Sequence, residues 1–126
     1  MEKLSNKLAI GLQGRHIMWC PGCDSLHAIT VSMDGWQFDG DTENPSFNPS
    51  ILVRGKRFTA TGEREYKEWQ EQKYPKLVKD FDTKETVCHS FITKGKWNFL
   101  ADCTHNMAGK TVDMVDLPDW VTEAKA

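Results

Sequence analysis

No stretch of this 126-residue chain approaches the ~18 consecutive apolar residues of a membrane span. The N-terminal Met1-Glu2-Lys3-Leu4-Ser5-Asn6-Lys7 carries charge without a long apolar run behind it, so neither a leader nor a membrane segment is expected. A cytoplasmic protein with no membrane partner is the resulting expectation. Charge of one sign is also lacking: 16 Lys and Arg stand against 18 Asp and Glu, a formal charge of -2. Such a balance gives no field to hold a polyanion, and nucleic acid is not an expected partner. The chain has no Gly-rich phosphate loop, no nucleophile elbow, no internal repeat and no run of basic residues interleaved with aromatics. Cysteine is scarce too, with four in all, and in a reducing compartment these are metal ligands or free thiols sooner than disulfides.

What is present is concentrated. Cys20-Pro21-Gly22-Cys23 is a Cys-Pro-x-Cys knuckle, a tight turn that sets two thiolates on one side and supplies half of a tetrahedral zinc site. The other cysteines lie downstream, in Cys88-His89-Ser90-Phe91 and Asp102-Cys103-Thr104-His105. Between these, Val87–Ile92 and Trp97–Ala101 read as strands joined by Thr93-Lys94-Gly95-Lys96, the clearest hairpin in the chain. With Lys94-Gly95 at the turn, Cys88 opposes Ala101 and shares a face with Trp97, Phe99 and Cys103, whereas His89 points the other way. The ligand set read from this register is Cys20, Cys23, Cys88 and Cys103, with His89, His105 and His27 as alternates and zinc as the metal. A shift of one residue would exchange His89 for Cys88.

The rest of the chain reads as one domain of mainly β, β-rich α+β class: small antiparallel sheets built around the zinc knuckle, with one short helix. Strands are expected over Arg15–Trp19, His27–Met33, Trp36–Phe38, Ser50–Arg54 and Thr111–Val115. A helix is expected over residues 61–73, with Thr61 as N-cap and Tyr66 and Trp69 on one face, until Pro75 stops it. Residues 1–14 and 121–126 read as loosely ordered, Pro75–Glu85 as a loop, and Asp102 as the cap of a single helical turn ending at Gly109.

Two further groups can carry function. If cysteines fill the metal, His89, Asp102 and His105 can gather on the opposite side of the hairpin, where Asp102 would orient an imidazole as a general base needs. The competing account makes Asp102 a helix cap and His105 a surface residue. Gly40–Ser50 is a long loop with two prolines, and Asp41, Glu43, Asn44 and Asn48 are its candidate binding residues. The competing account has its Asp and Asn side chains capping the loop's own backbone.

These motifs together resemble a family of small phage and prophage proteins of unknown function, some of them labelled ammonia monooxygenase. The resemblance runs over about residues 18–118, through Trp19-Cys20-Pro21-Gly22-Cys23 with His27, Trp36 with Gly40-Asp41, Asn44-Pro45-Ser46-Phe47-Asn48-Pro49-Ser50, Cys88-His89-Ser90-Phe91 with Gly95, and Asp102-Cys103-Thr104-His105 with Ala108-Gly109. It implies a zinc-binding, β-rich protein. More distant relatives imply His89 as ligand in place of Cys88. The oxygenase label does not fit a chain without a membrane span. Thr59–Glu85 departs from the family pattern. The leading expectation is a zinc-stabilised binding module that contacts a host or viral protein through the 39–50 loop or the helix. The alternatives are a small zinc-dependent hydrolase using His89, His105 and Asp102, and a zinc-ribbon nucleic-acid binder.

Overall fold

The computed structural model of the protein describes residues 1–76 and 80–123. Among the described residues the strands are β1 (Glu2–Lys3), β2 (Ala9–Ile10), β3 (Arg15–Cys20), β4 (Ser25–Thr30), β5 (Gln37–Phe38), β6 (Phe47–Phe58), β7 (Thr83–Thr93), β8 (Lys96–Phe99) and β9 (Thr111–Asp113). The helices are α1 (Ala60–Glu71) and the single turn α2 (Trp120–Glu123). Two antiparallel sheets result, ordered β1-β2-β3-β4 and β5-β6-β7-β8-β9, so the expected mainly-β class with one substantial helix is what the chain adopts. None of the described helices is long and apolar enough to cross a membrane.

The two sheets share one core. Leu8, Met18, Cys20 and Ile29 from the first meet Phe47, Ile51, Cys88, Ile92, Trp97 and Phe99 from the second. Strand alternation produces this: in β7, Cys88, Ser90 and Ile92 are buried, while His89, Phe91 and Thr93 face outward. The hairpin register is the one the turn chemistry predicts. Thr93 pairs with Lys96 and Ser90 with Phe99 around a turn with positive φ at Lys94 (48°) and Gly95 (76°), the geometry of a two-residue hairpin loop. Gly95 has a second reason to lack a side chain, because a Cβ there would lie 3.0 Å from Asn44 Oδ1.

Several sequence expectations shift. Residues 1–14 are not a loose lead-in: β1 and β2 extend the first sheet, and Leu8 and Ala9 are fully buried. At the other end Val121 is buried within α2, and residues 124–126 lie outside the described residues. The helix begins earlier than expected, because Thr59 and not Thr61 is its cap, accepting the Gly62 N–H at 3.1 Å. Of the expected loop Pro75–Glu85, residues 77–79 lie outside the described residues, and β7 already begins at Thr83, paired with Phe58. Tyr66 and Trp69 do share a face, joining Phe58 and Phe81 in an aromatic cluster at the far end of the β6–β7 ribbon. The segment 102–109 forms turns and no helix, with consequences for the site.

Candidate metal centre and an adjoining Ser-His-Asp array

The knuckle joins β3 to β4 at one end of the core, where Cys20 closes its strand and Cys23 follows on the turn, its N–H donating to Cys20 Sγ at 3.4 Å. Cys88 enters from the inward face of β7. The fourth group is His105, and the ligand atoms of Cys20, Cys23, Cys88 and His105 all lie within 4.8 Å of one another. Cys20 Sγ and Cys88 Sγ are 3.8 Å apart, and His105 Nε2 is 3.4 Å from Cys88 Sγ. A tetrahedral ion with sulfur ligands at ~2.3 Å and nitrogen at ~2.0 Å requires separations of about 3.8 and 3.5 Å. The cluster can therefore hold a metal ion with little rearrangement. Gly22 makes the closure possible: a Cβ on it would come within 2.3 Å of the His105 ring.

His105 takes the place that the strand pattern gave to Cys103. The β7–β8 ladder ends at Phe99, so face alternation no longer governs the residues beyond it. The chain turns back along β7 instead. Leu100 N–H donates to the His89 carbonyl at 2.9 Å, Thr104 N–H to the Val87 carbonyl at 2.9 Å, and Val87 N–H to Thr104 Oγ1 at 3.0 Å. Cys103, 8% exposed, stays outside the cluster and brackets His89 with its thiol, accepting from the His89 N–H and donating to the His89 carbonyl, each at 3.2 Å. Of the two adjacent candidates Cys88 and His89, Cys88 is the one whose ligand atom lies in the cluster.

The clustered sulfurs perturb one another. Hydrogen bonding from Cys20, then from Cys88, drives the Cys23 thiol well below its ordinary value. Cys88 is pushed far up by its contacts with Cys20 and Cys23 and by burial, because a second and third thiolate cannot form beside the first without a compensating charge. His27 lies next to these sulfurs on β4. Burial opposes its charging, yet Cys20 and Cys23 outweigh that penalty and raise it to about 9. Its buried Nε2 has no partner in hydrogen-bonding geometry, so we assign the effect to the charge of the sulfurs and not to a formed bond. His27 is not one of the four clustered ligands.

On the outward face of the same strand a different arrangement stands. His89 Nδ1 is 3.1 Å from Asp102 Oδ2, and His89 Nε2 is 3.1 Å from Ser50 Oγ. A carboxylate only accepts, so Nδ1 carries the proton and Nε2 of the neutral ring is left to accept the Ser50 hydroxyl. The side chain of His89 is 26% exposed and that of Asp102 57%, so the array opens to the surface. Ser50 is aimed by an irregularity: β6 pairs with β7 at Phe47–Ile92 and again at Ile51–Ser90, leaving residues 48–50 to span the place of one partner residue, Phe91. The Trp36 indole N–H holds the Ser50 carbonyl at 3.3 Å. Sequence reading grouped His89 with Asp102 but missed Ser50 and added His105, which belongs to the metal cluster. No local motif marks Ser50, because His89, the partner of its hydroxyl, lies 39 residues away along the chain.

The 39–50 loop is mostly held by its own backbone. Asp41 accepts from the Glu43 and Asn44 N–H groups, and Asp39 from those of Asp41 and Ser46. The hairpin turn docks onto it through Gly95 N–H to the Pro45 carbonyl at 2.9 Å and Lys94 N–H to Ser46 Oγ at 2.8 Å. The Glu43 carbonyl accepts from Lys7, and Asn48 stands exposed, paired with Gln37.

With a serine, a histidine and an aspartate in line, the comparison with known families becomes decisive. Residues 2–100 match the family described as bacterial ubiquitination-like system serine protease (BubE). The chain belongs to this family. The matched residues include Ser50, His89 and the three clustered cysteines, while Asp102 and His105 follow just beyond them. No curated protein and no solved structure matches the chain.

Proposed function

We propose that the protein is a serine hydrolase, the peptide-cleaving member of a bacterial ubiquitination-like system, with Ser50 as nucleophile, His89 as general base and Asp102 as the group that orients it. The observation that carries this reading is the pair of 3.1 Å contacts that place His89 between Ser50 Oγ and the Asp102 carboxylate. In this mechanism Ser50 Oγ forms a bond to the scissile carbonyl carbon as its proton passes to His89 Nε2, and Asp102 stabilises the imidazolium. The C–N bond then breaks as His89 returns the proton to the leaving amine. A water molecule, deprotonated by the same histidine, hydrolyses the acyl-enzyme.

The metal in this reading is zinc in a structural role. Three sulfurs and one imidazole with no oxygen donor suit zinc, and four protein ligands close the tetrahedron. A metal-activated water, which the hydrolase alternative from sequence requires, has no open position in such a site. A pure contact module leaves the Ser50–His89–Asp102 alignment without a role, so the protein partner expected from sequence becomes the substrate. The phage or prophage setting implied by the sequence resemblance remains part of this proposal.

Purified protein treated with a fluorophosphonate tests the assignment. Ser50 Oγ displaces fluoride and forms a P–O bond, and the labelled peptide should contain Ser50. Ser50→Ala and His89→Ala should abolish labelling while keeping metal content and melting temperature. Undiminished labelling of Ser50→Ala would overturn it.

A further inference from the structure

The stretch of β6 that releases Ser50 from the regular ladder also opens a cleft of about 430 Å³, whose lining includes Phe38, Phe47, Asn48, Phe91 and Thr93. Its apolar side is Phe38, Phe47, Phe91 and Ile92, and its polar side includes Gln37, Asp39 and Ser46. Phe38 and Phe47 stack with ring centroids 4.9 Å apart, and Phe91, 39% exposed, forms the outer side. The one charged side chain in its lining, Asp39, is turned to the loop, where its Oδ1 accepts from the Asp41 and Ser46 N–H groups, and no lysine or arginine is present there. The cleft adjoins the catalytic array: Phe91 follows His89 by two residues on the outward face, and Asn48 precedes Ser50 by two. Leu52, another large apolar side chain left exposed, pairs directly with His89 on its other flank. Exposed apolar residues on both sides of a reactive serine, one of them at an open aromatic cleft, mark the track of a bound chain.

We infer that this cleft is a specificity subsite that receives a large, uncharged apolar side chain of the polypeptide cleaved at Ser50, with Phe91 as the residue that sets the preference. The inference rests on the serine-hydrolase reading above. A charged side chain would lose its hydration against the accessible Phe38 and Phe91 rings, whereas an aliphatic or aromatic one replaces water there with ring contacts. Phe91 touches neither the metal ligands nor the catalytic hydrogen bonds, so it acts on selection and not on the chemical step.

The test compares rates of Ser50 labelling by two probes that differ only in their phosphorus substituent, ethyl(ethoxy)phosphoryl fluoride and octyl(ethoxy)phosphoryl fluoride, with the label located by mass spectrometry. The wild-type protein should react about 10-fold or more faster with the octyl probe, the scale on which apolar pockets discriminate. Phe91→Ser, which removes the wall, and Thr93→Trp, which fills the cleft from an exposed position, should each reduce that ratio about 5-fold, through a loss in the octyl rate. Equal rates for both probes in the wild type, or a preference that survives both substitutions, would overturn the subsite while leaving the hydrolase assignment standing. Absence of any label on Ser50 would overturn the hydrolase assignment and this inference with it.

Discussion

The two faces of β7 present opposite surroundings one residue apart. Cys88, 2% exposed, points inward to the thiol and imidazole cluster, and His89 points outward to Ser50 and Asp102. The inward face is closed, buried and tied to the knuckle of the other sheet; the outward face is open and polar at its centre with apolar flanks. The turn after β8 repeats the division, sending Asp102 to the outer array and His105 to the inner cluster. The candidate metal ligands and the Ser-His-Asp array thus draw on the same two segments, and under the proposed function the difference between them is a direction of dependence. In that proposal the inner cluster, holding its metal, fixes the backbone that aligns the outer groups, whereas Ser50, His89 and Asp102 supply none of its four ligands.

The strongest way to break this asymmetry is to remove the metal. Chelation, or Cys23→Ser or Cys88→Ser, should release about one zinc per chain and lower the melting temperature steeply, since apparent binding energies for such sites reach roughly 10 kcal/mol or more and are part of folding. Ser50 labelling should vanish in parallel. A metal-free protein with unchanged melting and full labelling would dissolve the link between the faces.

Next in size is the reverse experiment. Ser50→Ala or His89→Ala should reduce hydrolysis of a p-nitrophenyl ester by about 10³-fold or more, with zinc content and melting temperature unaltered. Loss of zinc from His89→Ala would mean that this histidine and not Cys88 is the ligand. Asp102→Asn sharpens the outer side further, because an amide can no longer impose the tautomer that leaves Nε2 free, and a rate loss of roughly 10²- to 10⁴-fold with metal retained is expected. Rate and zinc measured on one preparation separate the two roles.

Smaller still is Cys103→Ala. Loss of the bonds that bracket the His89 backbone should cost about 1–2 kcal/mol in denaturant unfolding and slow the reaction severalfold. Zinc stoichiometry should not change, which distinguishes this thiol from the three ligands. Lys96→Ala should register least, since its pair with Asp113 is exposed and lies on β8 and β9, away from both faces.

The contrast also explains what could be read ahead of the structure. The Lys94-Gly95 turn fixes the hairpin register, and the register fixes that Cys88 and His89 face apart, so the opposed directions of these two side chains are legible from local chemistry alone. The same logic failed for Cys103. It assumed a strand that continues past Phe99, whereas the chain there bonds back to Val87 and His89 as an irregular turn and presents His105. Ser50 was invisible for a related reason, because it reaches His89 only through the widened stretch of β6 between Phe47 and Ile51.

By itself the sequence determined the β-rich class, the knuckle with its demand for two further ligands, and the opposed directions of Cys88 and His89, because turns, capping and strand alternation act over a few residues. Only the tertiary structure decided that His105 joins Cys20, Cys23 and Cys88, that Cys103 bonds to the His89 backbone, and that Ser50 stands at hydrogen-bonding distance from the imidazole. Those pairings bring together groups from separate segments at places where the ladders become irregular, and there the positions are set by packing and long-range hydrogen bonds that no local pattern encodes.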